Sequence, residues 1–307
     1  MFFGSGAFAV PALERLCSEG YPILAVVTQP PKPAGRGWRT IKTPVHESAE
    51  RTGLPILTPQ RARDTEFLEQ VRKLSPDLIV LASYGKILPQ ALLNIAPIGN
   101  WNLHGSLLPK YRGASPIQSA ILEGEHETGV TLMEMVAEMD AGDIYLQRTI
   151  PIEPEDDAGS LEDKLAHLGA DLLVEGLQRL QEGTLQRTPQ NHAEATYTKL
   201  LTKEDMRLRW DESAHRCHNR VRAFLPKYGG WTTWRGKLLK IWRTLPIDAS
   251  HTAEPGTIVA CSKEGVDVAC GEGALRLLEV QPESRAKMTI PAFLNGYHPQ
   301  VGERLGD

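Results

Sequence analysis

Short apolar runs alternate with amphipathic stretches through the first part of the chain. Ile23 to Thr28, Leu54 to Leu57, Leu78 to Leu81 and Gly99 to His104 have the pattern of short strands buried on both faces. Helical spacing occupies the stretches near 11–19, 44–52, 64–74 and 89–94. Such alternation predicts a parallel α/β sheet. Gly20 and Gly53 are placed to end two of the helices, and Thr43-Pro44 and Ser115-Pro116 each read as an N-cap followed by proline at the first helical position. Ser160 opens a long helix with Leu161, Leu165, Leu168, Leu172 and Leu177 on one side, ended by Gly183. Periodicity then fades, and 184–202 reads as an extended linker over the surface. A helix near 212–225 follows. Short strands around 231–234, 237–243, 257–261, 266–269 and 274–280, joined by glycine turns, predict a small all-β barrel. The expected organisation is a catalytic domain over 1–183, a linker over 184–202 and a second domain over 203–307.

Composition narrows the class. A chain of 307 residues, 41% hydrophobic and 23% charged, is that of an ordinary two-domain soluble protein. Its apolar runs fall far short of the roughly 20 residues that cross a bilayer. No basic segment, long apolar stretch and cleavage site open the chain, so export is not expected. Cys17, Cys217, Cys261 and Cys270 are widely spaced, which predicts reduced thiols in a cytoplasmic protein, without a disulfide framework or zinc site. Gly4-Ser5-Gly6-Ala7-Phe8-Ala9 fits a Rossmann-like Gly-x-Gly-x-x-Ala turn. Where a nicotinamide site needs an acid at the end of the second strand, however, the chain has Thr28-Gln29-Pro30. The glycines are therefore read as a tight strand-to-helix turn.

Charge is unevenly distributed. The net charge is −4, yet residues 203–243 hold eleven Lys or Arg against four Asp or Glu, a net of +7 that leaves −11 for the rest. Trp210, Trp231, Trp234 and Trp242 lie in the same window, a combination suited to phosphate contact and base stacking, with at least two of the four expected in the core. A second basic element is the loop with Lys32, Arg36, Arg39 and Lys42. No acid occurs from Thr28 to His46, and its prolines and glycines predict no regular structure.

Chemistry concentrates around Asn102-Leu103-His104. Residues two apart on a strand share a face, so Asn102 and His104 point the same way. With Asp140, they supply an amide, an imidazole and a carboxylate. Those groups can hold a carbonyl oxygen, stabilise its charge on attack and remove a proton from the attacking group.

The surrounding residues carry a specific resemblance. Asn102-x-His104-x-Ser106-Leu107-Leu108-Pro109, Lys110-Tyr111-Arg112-Gly113, Pro116-Ile117 and Asp140-x-Gly142-Asp143 resemble the signature of 10-formyltetrahydrofolate-dependent formyltransferases. Over its whole length the chain is most similar to the branch acting on methionyl-tRNA. That resemblance implies an OB-like second domain, 10-formyltetrahydrofolate as formyl donor, methionyl initiator tRNA as acceptor, no metal and no covalent intermediate. It implies Asn102, His104 and Asp140 as the catalytic trio, with Ser106, Leu107, Leu108 and Pro109 forming the loop against which folate sits. Tyr84 and Gly85 would line the pteridine pocket mainly through backbone groups, and Gly142 would turn the chain past the folate. Pro33-Ala34-Gly35-Arg36-Gly37 would enter the tRNA acceptor stem, with Lys32, Arg39 and Lys42 beside it. Arg112 would meet either the folate glutamate tail or a tRNA phosphate, and a monomer is expected. Family members carry several more apolar residues before the first glycine turn than Met1, Phe2 and Phe3. The alternative reading is a sugar-nucleotide formyltransferase, which shares the trio; the basic loop and the +7 window weigh against it.

Overall fold

Among the described residues, eleven strands belong to the first part of the chain: β1 (Phe2–Gly4), β2 (Val26–Val27), β3 (Lys32–Ala34), β4 (Arg39–Ile41), β5 (Ile56–Leu57), β6 (Leu78–Ala82), β7 (Gly99–His104), β8 (Arg112–Gly113), β9 (Glu127–Glu134), β10 (Ile144–Pro151) and β11 (Tyr197–Thr198). The computed structural model describes residues 1–34 and 39–306. It divides into two compact units, one made of 1–116, 127–151 and 162–199, the other of 117–126, 152–161 and the chain from 200 onwards.

The first unit is built on a seven-stranded sheet in the order β10-β9-β7-β6-β1-β2-β5. Strands β7, β6, β1, β2 and β5 are parallel. Phe2, Phe3, Val26, Val27 and Ile79 are all but inaccessible, as expected where helices cover both faces of a parallel sheet. Helix Val10–Ser18 buries Ala12, Leu13 and Leu16, and helix Thr65–Leu74 buries Phe67, Leu68 and Val71. The Thr43 side chain caps helix Pro44–Arg51 by accepting from His46 N. Long helix Ala158–Gln181 lies against β7 and β9 through Gly169 and Gly176; a Cβ at Gly176 would stand 2.5 Å from the Leu132 side chain.

Two features depart from the sequence reading. The sheet is mixed, because β9 runs antiparallel to β7 and β10 antiparallel to β9. The basic loop is partly regular, because β3 and β4 pair as an antiparallel ribbon with Lys32 opposite Ile41. Pro33 sits in a two-stranded ribbon, where a strand edge without a partner tolerates the missing N–H.

The second unit carries β12 (Gly230–Trp234), β13 (Lys237–Ile247), β14 (Ile258–Ser262), β15 (Gly265–Ala269), β16 (Ala274–Pro282) and β17 (Met288–Thr289). Its antiparallel sheet has the order β12-β13-β16-β15-β14, with β17 on β16. The two edges do not stay open. Leu305 N donates to Gly256 O and Gly306 N to Thr233 O, so the end of the chain is bonded to both sides. Trp210, Val221, Trp234, Ile241, Leu277 and Phe293 belong to the core beneath. Three of the four tryptophans are buried, and Trp231 is half-buried. No helix among the described residues is long and apolar enough to cross a membrane.

Candidate active site

His104 ends β7, the parallel strand beside β6, and Asn102 precedes it on the same face. The carboxyl end of such a strand is where open α/β sheets bind ligands. His104 is buried and Asn102 half-buried. The imidazole Nε2 lies 2.9 Å from Tyr111 O. A carbonyl only accepts, so Nε2 carries the proton and Nδ1 is the nitrogen left to face the site. Asp140 stands opposite, its Oδ2 3.7 Å from His104 Nδ1, too far for a direct hydrogen bond. The same Oδ2 accepts from Gly113 N at 2.8 Å. The Tyr111 carbonyl therefore orients the ring.

The two segments holding these groups are conformationally demanding. Asp140, Tyr111 and Gly113 all lie at positive φ, at 50°, 61° and 109°. A Cβ at Gly113 would come within 2.6 Å of Thr198 O, so that position requires glycine. Gly142 has a different constraint: a Cβ there would sit 2.0 Å from Glu134 O. Its small size admits the end of β9.

The loop after β7 is fastened to the protein at nearly every carbonyl. Ser106 O accepts from Thr131 Oγ1 at 2.7 Å, Leu107 O from Lys110 N, Leu108 O from Gln147 Nε2 at 2.8 Å and Pro109 O from Thr196 N. Lys110 O accepts from Ser106 Oγ, and Arg112 O from Thr198 Oγ1. With its carbonyls so engaged, the loop offers a neighbour mainly the apolar faces of Leu107 and Pro109, which are half-buried, while Leu108 is in the core. Thr131 lies opposite His104 in the β7–β9 register. It was invisible in the sequence reading because one polar residue in an apolar strand has no periodic signature.

Tyr84 and Gly85 follow β6. The Tyr84 ring packs edge-on against Phe3 with centroids 5.5 Å apart, and burial pushes its hydroxyl up to about 12. The side chain belongs to the core, and its carbonyl accepts from Gln29 Nε2 at 2.8 Å. Gly85, at φ 72°, admits that amide, which would stand 2.9 Å from a Cβ. Gln29 occupies the position where a dinucleotide site would need an acid, and its work is to brace this turn. Ser5 N and Gly6 N both donate to Ser83 O, so the glycine turn is also occupied by the protein's own backbone.

Arg112 is wholly buried, and neither ligand suggested for it from sequence can reach it without rearrangement. Its guanidinium donates to Gln190 Oε1 at 2.8 Å from Nη2 and 3.2 Å from Nε. The proposed linker therefore includes a piece of this site: β11 pairs with β8, and Tyr111 N donates to Thr196 Oγ1 at 2.8 Å.

The basic residues divide in the structure. Lys42 Nζ is 2.7 Å from both carboxylate oxygens of Glu50, and that contact holds the Glu50 carboxyl below its usual range. Lys32 Nζ reaches Gln29 Oε1 at 3.1 Å. Arg36 lies outside the described residues, and Arg39 contributes the backbone of β4. In the second unit Arg220 pairs with Glu212, Arg235 with Glu303, and Arg222 donates to the carbonyls of Glu153, Pro154 and Asp156. Lys203 and Arg207 flank the half-buried Trp231, at 5.6 and 5.4 Å from its ring centroid, and Arg207 also pairs with Glu204 at 3.6 Å. That trio joins cations to an aromatic face, the arrangement that stacks on nucleic acid.

Residues 1–177 match the formyl transferase family and residues 200–298 match the formyl transferase C-terminal domain. The chain is 46% identical to a methionyl-tRNA formyltransferase of Acetivibrio thermocellus, covering 100% of this chain and 99% of that one. It is 45% identical to that of Geobacter metallireducens, covering 100% and 98%. In fold it is similar to an N-formyltransferase from Helicobacter canadensis solved with folinic acid and dTDP-3-aminofucose, with TM-score 0.67 and 19% identity over 92% of this chain and 98% of that one.

Proposed function

The chain belongs to the methionyl-tRNA formyltransferase family, and from that membership we propose that it moves a formyl group from 10-formyltetrahydrofolate to the α-amine of methionyl initiator tRNA. The observation that carries the assignment to particular atoms is His104 Nδ1 facing Asp140 Oδ2 at the end of the strand that also bears Asn102.

The acceptor amine must be neutral to attack, and an α-amino pKa of about 7.7 to 8 leaves a useful fraction unprotonated at neutral pH. Its lone pair forms the new C–N bond at the formyl carbon, placing negative charge on the formyl oxygen. Asn102 donates its amide to that oxygen. His104, in its imidazolium form, donates from Nδ1 while Nε2 stays on Tyr111 O. Loss of one such donor costs on the order of 3 to 4 kcal/mol of barrier. Asp140 accepts the amine proton, directly or through one water, and the proton leaves on the folate N10 nitrogen as the old C–N bond breaks. Leu107, Pro109, the Tyr84–Gly85 backbone and Gly142 would shape the folate site. The first unit would carry catalysis and meet the acceptor end of the tRNA, and the second would contact the tRNA body. Arg36, Arg39, Lys32 and Lys42 would meet the acceptor end, and Trp231 with Lys203 and Arg207 the tRNA body.

The test is competition. Incubated with the formyl donor and a mixture of methionyl initiator tRNA, methionyl elongator tRNA and an amino-sugar nucleotide, the chain should formylate the initiator tRNA. Formylation of the sugar nucleotide in preference would overturn the assignment.

A further inference from the structure

Residues 187–198 run along the catalytic segment. Ile144 and Thr188 exchange two backbone hydrogen bonds, of 2.8 and 2.9 Å, which anchors this stretch to the start of β10. Two residues on, Gln190 is 5% exposed and every polar atom of its side chain is engaged. Its Nε2 donates to Asp140 O at 2.8 Å and to Gly142 O at 2.7 Å, while Oε1 accepts from Arg112. Arg112 is itself fixed by Tyr197 Oη at 3.3 Å and His192 Nδ1 at 3.1 Å. The amide thus bridges the backbone on either side of Ala141, at a turn where Asp140 adopts φ 50°. Non-glycine residues hold that conformation only when their surroundings fix it. Both donors on Gln190 go to that turn.

We propose that Gln190 is a positioning residue for formyl transfer: with Arg112 as its anchor, it fixes the turn that aims the Asp140 carboxylate at His104. This inference rests on the formyl-transfer reading of the site. Its prediction concerns orientation. A carboxylate displaced by about 1 Å can cost on the order of 100-fold in rate.

The experiment is a double-mutant cycle on the full-length chain, measured by single-turnover transfer to charged initiator tRNA. Gln190→Glu keeps acceptors for Arg112 but removes both donors to the turn. We expect transfer at saturating formyl donor to slow by about 10- to 100-fold. In an Asp140→Asn background the same substitution should cost less than about twofold, because groups acting as a unit are not additive. Gln190→Ala gives the same reading should the glutamate variant fail to fold. An undiminished rate in either variant, or an equal loss in both backgrounds, overturns the proposal. Failure of the parent chain to transfer formyl would instead overturn the reading of the site, and this inference with it.

Discussion

Thr131 holds the folate-side loop through one hydroxyl, and Thr131→Val isolates that contribution. The side chain is fully buried; Oγ1 donates to Ser106 O and accepts from Leu108 N at 3.2 Å and Gln147 Nε2 at 2.9 Å. Valine keeps the shape and removes all three bonds. Gln147 is exposed and can turn to water, but Ser106 is inaccessible and Leu108 is 3% exposed, so two backbone groups lose their partner without gaining another. At about 1 to 2 kcal/mol each, the expected loss is about 2 to 4 kcal/mol. Urea unfolding followed by circular dichroism measures it, beside Thr131→Ser, which retains the hydroxyl and should cost about 1 kcal/mol for its missing methyl. The KM for the formyl donor should rise in the valine variant only. Equal costs for the two variants would refute the hydroxyl's role, as would a valine variant within about 0.5 kcal/mol of the parent.

His218, with Nδ1 2.8 Å from Thr244 Oγ1, is pushed from 6.5 to about 4 by burial first, then by Arg222 and His215. Its folded-state value is depressed, so its neutral form stabilises fully above pH 6.5, and up to about 3 kcal/mol is lost as pH falls toward 4. His218→Gln should flatten that part of the stability profile; an unchanged slope would show that other groups cause it. Arg36→Ala should raise the KM for charged tRNA several-fold and leave that for the formyl donor unchanged, as steady-state kinetics with each substrate varied will read. Binding of tRNA should weaken steeply between 50 and 200 mM salt, by about tenfold for every two phosphates neutralised. A flat response in a filter-binding assay would point to a small acceptor.

The strands legible in the sequence were those buried on both faces, such as Leu78–Ala82, and those separated by glycine turns in the second unit. Asn102 and His104 were legible because strand alternation alone puts them together. β9 was harder to read: its Val130 to Met133 run is continuously buried, and such a run does not distinguish strand from helix. The stretch at 187–198 was read as a linker because Gln190, Thr196 and Thr198 act through side-chain bonds to backbone, which leave no hydrophobic period. Arg112 was assigned to ligands because a lone arginine gives no sign of burial; its partner Gln190 lies 78 residues away. The charge count in 203–243 was similarly blind to pairing, and several of those cations are engaged within their own unit.

Asn102, His104 and Asp140 are proposed to act together on one formyl carbon. Single-turnover transfer by His104→Ala and Asp140→Asn, each first saturated with formyl donor and shown to bind it as the parent does, tests this directly. The account predicts rates lowered by at least about 100-fold in each variant with donor affinity retained. Transfer within about tenfold of the parent in either would contradict it.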